Sequence, residues 1–328
     1  MQGVDGTTVG GTLAKLMSLL GIEESLRDRH ALWADAREMT KRRSAGQGHL
    51  WAAIGMDHVP CKMGCKFCSF ALPWTSITGE TQIGIEQTEV QTLRFIEAGA
   101  DYLVLRTSER YPLERLLDLG RRLAPRIHPK GRLVANTGSQ SSEGWMQLRS
   151  AGFDGVYKTI RLREGIDTPF DRQQRLESIL AAKAAGLEIY ALVEPVGPEH
   201  TAEELAEAIF TLRDLIKPAL VGAMARVPVP GVPLERFGRV DETYLADLTA
   251  IIVLSLLPAL DQCRVVCSHP ASPWLVQAGV NALVVEMGAI PRDTSFVERE
   301  WGHFTPDAVW RLLSSVGYNV QRCKPNQP

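Results

Sequence analysis

Charge of one sign is nowhere in excess in the composition: 36 Lys and Arg stand against 38 Asp and Glu, a net charge of −2. That balance leaves no basic surplus to hold nucleic acid or an anionic membrane, so neither is expected as a partner. Long hydrophobic runs are also missing. The most apolar stretch, Tyr244 to Leu260, is interrupted by Asp247 and is too short and too mixed to span a bilayer. Residues 1–11 carry no basic segment followed by an apolar one, so no secretory signal is expected, and the expected location is the cytoplasm. There are only six cysteines, and in a reducing compartment these point to metal binding or catalysis before disulfides. No low-complexity linker or compositional break marks a second domain.

The patterning that is present is strand–helix alternation. Residues 1–48 read as a helical extension, with apolar residues at helical spacing over Thr12–Leu20 and Glu23–Met39, ending in a polar hinge at Lys41–Gly48. Short β-rich runs follow at Leu50–Ile54, Tyr102–Leu105, Leu133–Ala135, Val156–Ile160, Ile189–Val193, Leu220–Met224, Arg264–Cys267 and Ala282–Val285. Amphipathic helical stretches separate them: Thr88–Ala98, Leu113–Leu123, Ser142–Ser150, Phe170–Ala185, Ala202–Ile216, Glu242–Leu260 and Ser272–Ala278, with Thr305–Val316 last. Such alternation implies right-handed βαβ units and a parallel sheet, and eight units suggest a closed (β/α)8 TIM-type barrel over 49–318, followed by a tail at 319–328. An open doubly wound sheet is the alternative.

Cysteines cluster where such a barrel would place an active site. Cys61-Lys62-Met63-Gly64-Cys65-Lys66-Phe67-Cys68 spells C-x3-C-x2-C with an aromatic residue before the third cysteine. It follows the first strand, so it falls on the rim formed by strand C-termini. Three thiolates so close in sequence can wrap one face of a cubane iron–sulfur cluster and leave one iron open, while Gly64 permits the tight turn between them. Structural zinc normally takes four protein ligands, and His58 alone does not complete such a set.

This segment resembles the signature of the radical S-adenosylmethionine (SAM) superfamily. A full eight-unit barrel, N-terminal helices and the segment Pro230-Gly231-Val232-Pro233-Leu234 are similar to the branch that includes biotin synthase, 3-methylornithine synthase and the hydrogenase-maturation radical SAM enzyme. The resemblance implies a [4Fe–4S] cluster on Cys61, Cys65 and Cys68. It also implies reductive cleavage of SAM to a 5′-deoxyadenosyl radical, and hydrogen abstraction from a small-molecule substrate. Rearrangement, bond cleavage or sulfur insertion would then follow, in cofactor biosynthesis, with an external electron donor such as flavodoxin or ferredoxin. A non-catalytic iron–sulfur scaffold or electron carrier is the alternative.

The same resemblance directs attention to the other strand ends. Ser108-Glu109, after the second strand, stands where the family has a Gly-Glu-type element on the SAM amino group. The third strand ends at Asn136-Thr137. Lys158 and Arg161, near the fourth, are matched to the family's basic contact with the SAM carboxylate. Glu194 is expected to face the barrel mouth. Arg226 is expected to point inward and to need an anionic partner: substrate, SAM or Glu194. Glu286, Arg292 and Asp293 add charge near the eighth strand. An ordinary rim salt bridge is the plainer reading of each charge. Of the remaining cysteines, Cys263 and Cys267 would lie roughly 13 Å apart along a strand, too far for one cubane. Only Cys267, with His269 and Cys323, is placed to serve the site.

Overall fold

The computed structural model describes residues 6–23, 28–75, 79–128, 130–289 and 304–320. Among the described residues, eight parallel strands form one sheet, and all eight expected runs are present. The first, His49–Gly55, lies between the second, Tyr102–Arg106, and the eighth, Ala282–Gly288. The third (Arg132–Asn136), fourth (Gly155–Tyr157), fifth (Glu188–Tyr190), sixth (Leu220–Val221) and seventh (Val265–Val266) follow in order. A parallel bridge between Cys267 and Ala282 joins the seventh strand to the eighth. The sheet is therefore a nearly closed α/β TIM-type barrel rather than an open one.

Strand alternation sets what faces inward. In the first strand Leu50, Ala52 and Ile54 pack outward with the helices, whereas Trp51 and Ala53 join Val104, Val134, Leu192, Leu220 and Ala282 inside. The lower interior is closed by aromatic packing. Trp51 stacks on Tyr102 with centroids 4.8 Å apart and meets Tyr190 edge-on at 5.3 Å. The fifth and sixth strands each break and resume, as Val193–Val196 and Ala223–Ala225, and these upper segments pair with each other. Gly222 makes the break in the sixth strand possible: its φ is +148°, and a Cβ there would lie 1.7 Å from the Cys267 carbonyl oxygen.

Helices begin where capping residues stand in the sequence. Ser141, Asp171, Thr201 and Asp241 each accept a hydrogen bond from a backbone N–H of the first turn, and Thr201 with Glu204 completes a capping box. Two expectations needed correction. The helix after the fifth strand is α-helical only over Ala202–Phe210 and continues as a π turn over Thr211–Ile216. The fourth strand stops at Tyr157, so Lys158–Ile160 belong to the loop above it.

The N-terminal helices are Gly6–Leu19 and Arg29–Ser44, and they pack on the helices Ala202–Phe210 and Glu242–Leu256 respectively. The stretch Glu242–Ala259 has the length and apolarity of a membrane-crossing helix, yet it is largely buried within the protein. Asp247, inside that stretch, accepts hydrogen bonds from Arg29 Nε at 2.9 Å and from the Trp33 indole at 2.9 Å. The interruption noted in the sequence is thus the anchor for the second helix. Residue 319 pairs with the hinge: Gly48 N donates to Asn319 O at 2.8 Å.

Candidate active site

The long loop above the first strand carries the three cysteines and is tied at both ends. Cys61 N donates to Phe70 O at 2.6 Å, and Leu72 N to Cys61 O at 2.8 Å, which folds the loop back around Cys65 and Cys68. Gly64 takes the expected left-handed turn, with φ +65°. The Trp74 indole donates to Cys65 O at 3.3 Å. Lys66 N donates to Asp167 O at 2.9 Å, while Lys66 O accepts from Leu234 N at 3.1 Å. The Pro230–Leu234 segment thereby props the cysteine loop against the barrel. All three thiols are half-buried and none is in a disulfide.

They open onto a cavity of about 270 Å³ at the strand C-termini. Cys61, Cys65, Cys68, Ser108, Glu109, Asn136, Lys158, Arg161, Glu194 and Arg226 all line it. The structure therefore brings these ten candidates to one place. Their surroundings separate them into groups with free charge and groups already committed.

Lys158 is buried to 4% exposure. Its Nζ donates to the Thr137 carbonyl at 3.5 Å and lies 5.6 Å from the Trp145 ring centroid; among the described residues no carboxylate forms an ion pair with it. Burial, and then the Arg175 and Arg161 charges, lower its pKa to about 7. Arg161 Nε lies 3.7 Å from Glu194 Oε1, and Glu194 also accepts a hydrogen bond from the Tyr157 hydroxyl. Burial pushes the Glu194 carboxyl up, against the pull of Arg161 and Tyr157. Glu194 faces the mouth as expected.

Besides Arg161 and Glu194, which pair with each other, two further candidates are already engaged. The Ser108 hydroxyl and backbone N both donate to Asp57, the latter at 2.7 Å. Ser108 therefore fixes the turn, and Glu109 is the carboxylate presented to the cavity. Arg226 is inward and 2% exposed, but its partner is none of those anticipated. Its guanidinium makes a two-pronged pair with Glu199, one arm at 2.8 Å, and reaches Gly238 O at 3.3 Å. Burial opposes ionisation of Glu199, yet the Arg226 bonds hold its carboxyl below the ordinary range. Breaking a buried pair strands a charge and costs roughly 3–5 kcal/mol. Arg226→Gln is therefore expected to lower the unfolding temperature by several degrees, with part of the loss recovered in the double variant Arg226→Gln/Glu199→Gln.

Several residues at the site were missed. Arg175 lies on the buried face of helix Arg172–Ala184, with Ile179 and Ala182. Its guanidinium sits 4.1 Å from the Phe170 ring centroid and 3.3 Å from Glu164. An arginine spaced with apolar residues along a helix was the available signal. Tyr157 and Arg106 were passed over because their inward direction depends on the strand register. Below the main cavity, a second space of about 120 Å³ is lined by both, together with Cys267, His269 and Glu286. Cys263 packs in the outer core instead. Cys323, Arg292 and Asp293 lie outside the described residues.

The donor set fits an iron–sulfur cluster. Burial, and then the neighbouring Cys68, push the Cys65 thiol up to about 12, so adjacent thiolates there require a cationic centre. Among the described residues no group of three His, Cys, Asp or Glu side chains is arranged to hold a single metal ion. A cubane instead takes each thiolate on a separate iron, and a set of three leaves the fourth iron open.

No family model matches the chain. Over 183 residues, 53% of the chain, it is 30% identical to biotin synthase of Kocuria rhizophila; the match spans 38% of that protein's length. Methylornithine synthase (PylB) superposes with a TM-score of 0.75 over 97% of both chains at 18% identity. The chain resembles the radical SAM superfamily. The FeFe-hydrogenase maturase HydG from Carboxydothermus hydrogenoformans has the same fold, with a TM-score of 0.70 over 95% of this chain and 79% of that one at 16% identity. At these identities the two structures show the fold alone, and the likeness in sequence rests on the biotin synthase match.

Proposed function

We propose that the protein is a radical SAM enzyme acting on a small metabolite. The observation that carries this reading is the convergence of the C-x3-C-x2-C loop and the charged strand ends on one cavity. When bound, the cluster would supply the electron that splits SAM into methionine and a 5′-deoxyadenosyl radical. Cys61, Cys65 and Cys68 would hold it. Glu109 suits an ammonium group, and Lys158, with Arg161 and Arg175 nearby, suits a carboxylate; together these match the two charges of a methionine moiety. Asn136 offers a neutral amide that can both donate and accept. Tyr157 and Glu194 hold Arg161 in place from below.

An external one-electron donor and a small-molecule substrate belong to this proposal, as does a role in cofactor biosynthesis. Hydrogen abstraction is tested by supplying deuterated candidate metabolites to the anaerobic, reduced protein and measuring the mass of the 5′-deoxyadenosine formed. Deuterium in that product supports the reading. Protein that cleaves SAM without taking deuterium from any candidate would limit it to cofactor cleavage, and protein that never cleaves SAM would fit an iron–sulfur scaffold or electron carrier.

A further inference from the structure

Below the proposed SAM cavity, the pocket of about 120 Å³ is mostly apolar. Trp51, Ala53, Val104, Leu192, Leu220 and Val284 form its walls, and the aromatic packing of Trp51, Tyr102 and Tyr190 closes its floor. Arg106, Asn136, Tyr157 and Met224 line both this pocket and the cavity above, so the two spaces adjoin through those side chains. A group lodged in the pocket would therefore lie directly beneath the cofactor.

The charged groups around this pocket are already committed. Arg106 and Glu286 face each other, Nε to Oε1 at 4.0 Å, and Arg106 Nη2 also donates to the Ala289 carbonyl at 3.0 Å. Glu286 has a further interaction of its own, and His269 is likewise engaged. The Tyr157 hydroxyl donates to Glu194. Burial pushes the Cys267 thiol up to about 12, so it stays protonated and neutral near neutral pH. The pocket thus offers no spare charge, and an ion entering it would lose its hydration without gaining a partner. A hydrocarbon group bears no such cost and gains by leaving water. The size agrees, since an apolar cavity of about 150 Å³ is enough to hold benzene.

Resting on the radical SAM reading above, we propose that this pocket binds the uncharged hydrocarbon end of the substrate, a butyl- to phenyl-sized group, and that SAM bound above encloses it. Any charged group on the substrate then stays in the larger cavity. The C–H bonds at the junction of the two spaces are the ones nearest SAM. A substrate that carried its charge into the pocket would have to break the Arg106–Glu286 pair to find a partner, which strands the other member. The competing account is a packing void in the barrel core, closed off from the cavity and unrelated to substrate.

The test uses the reconstituted protein and fluorine NMR. Fluorobenzene and trifluorobutanol are the uncharged probes, and trifluorobutyrate and trifluorobutylammonium are the charged counterparts of the second. With SAM present, the expected result is saturable binding of at least one uncharged probe, with both charged counterparts weaker than trifluorobutanol or than fluorobenzene by about tenfold or more. Saturating SAM should slow release of the bound probe by about tenfold or more, because SAM covers the way out. Ala53→Leu and Val284→Phe, which fill the pocket, should each weaken the probe by about tenfold and leave SAM binding in place. Failure of both uncharged probes to bind, or equal binding of a charged counterpart, overturns the proposal. Probe release that SAM does not slow also overturns it and leaves a packing void. The probe series and the release rates use the unaltered protein, so a misfolded variant cannot obscure the outcome. Reductive SAM cleavage is measured in parallel: probe binding without cleavage contradicts the radical SAM reading alone, and cleavage without probe binding contradicts the pocket assignment alone.

Discussion

Cys61→Ala, Cys65→Ala and Cys68→Ala are each expected to reduce dithionite-driven SAM cleavage by about a thousandfold or more. The effect is large because each thiolate would hold a different iron, so one substitution removes a whole ligand from the cluster, and no further cysteine or histidine among the described residues lines that cavity. The loop itself should survive. Its closure depends on backbone bonds from Cys61 N to Phe70 O and from Leu72 N to Cys61 O, which an alanine retains. Loss of cluster absorbance with an unchanged far-ultraviolet circular dichroism spectrum is the expected signature. Cys263→Ala is the contrasting case, since Cys263 packs in the outer core, away from both cavities. It should lose some stability and keep its iron. Full SAM cleavage by any of the three loop variants would remove the cluster assignment.

Lys158→Met is expected to act in opposite directions on binding and on stability. Lys158 is a buried amine with no ion-pair partner among the described residues, and burial lowers its pKa to about 7. In the unfolded chain it titrates near 10.5, so between about 7 and 10.5 the unfolded state holds the extra proton. Stability therefore rises with pH through that window, and below about 7 the full cost of charging the buried amine is borne. Lys158→Met should raise the unfolding temperature of the cofactor-free protein by several degrees at pH 6, with a smaller gain at pH 9, because each pKa unit of such a shift is worth about 1.4 kcal/mol. SAM affinity should fall by roughly 30-fold or more, the scale expected when one member of a buried charge-assisted pair is removed. In the unaltered protein the same affinity should weaken as pH rises above the folded pKa. A pH-independent SAM affinity, undiminished in the variant, would assign Lys158 a packing role.

The parts of the molecule legible in its sequence were those with a short-range signature. Short β-rich runs between amphipathic stretches marked all eight strands, and Ser142–Ser150 matched its helix at both ends, with Ser141 as the cap. The cysteine spacing located the loop, and Gly64 supplied the turn it required. What stayed hidden depended on which residue met which. Lys158, just beyond the fourth strand, could be singled out, but its lack of an ion-pair partner among the described residues could not be seen. Arg226 was correctly turned inward, whereas its pairing with Glu199 arises from two loops that meet only in the folded chain. Arg106 and Glu286 are 180 residues apart, and their juxtaposition follows from closure of the barrel around the first strand. Arg175 was the one omission that periodicity could have prevented.

The central claim, that the three-cysteine loop supports radical chemistry on SAM, is tested most directly by one anaerobic assay. The protein is reconstituted with iron and sulfide, reduced with dithionite, mixed with SAM and assayed for 5′-deoxyadenosine and methionine. Equal amounts of both products, dependent on reductant and absent from Cys65→Ala, are predicted. A colourless protein that retains zinc and forms neither product would contradict the account.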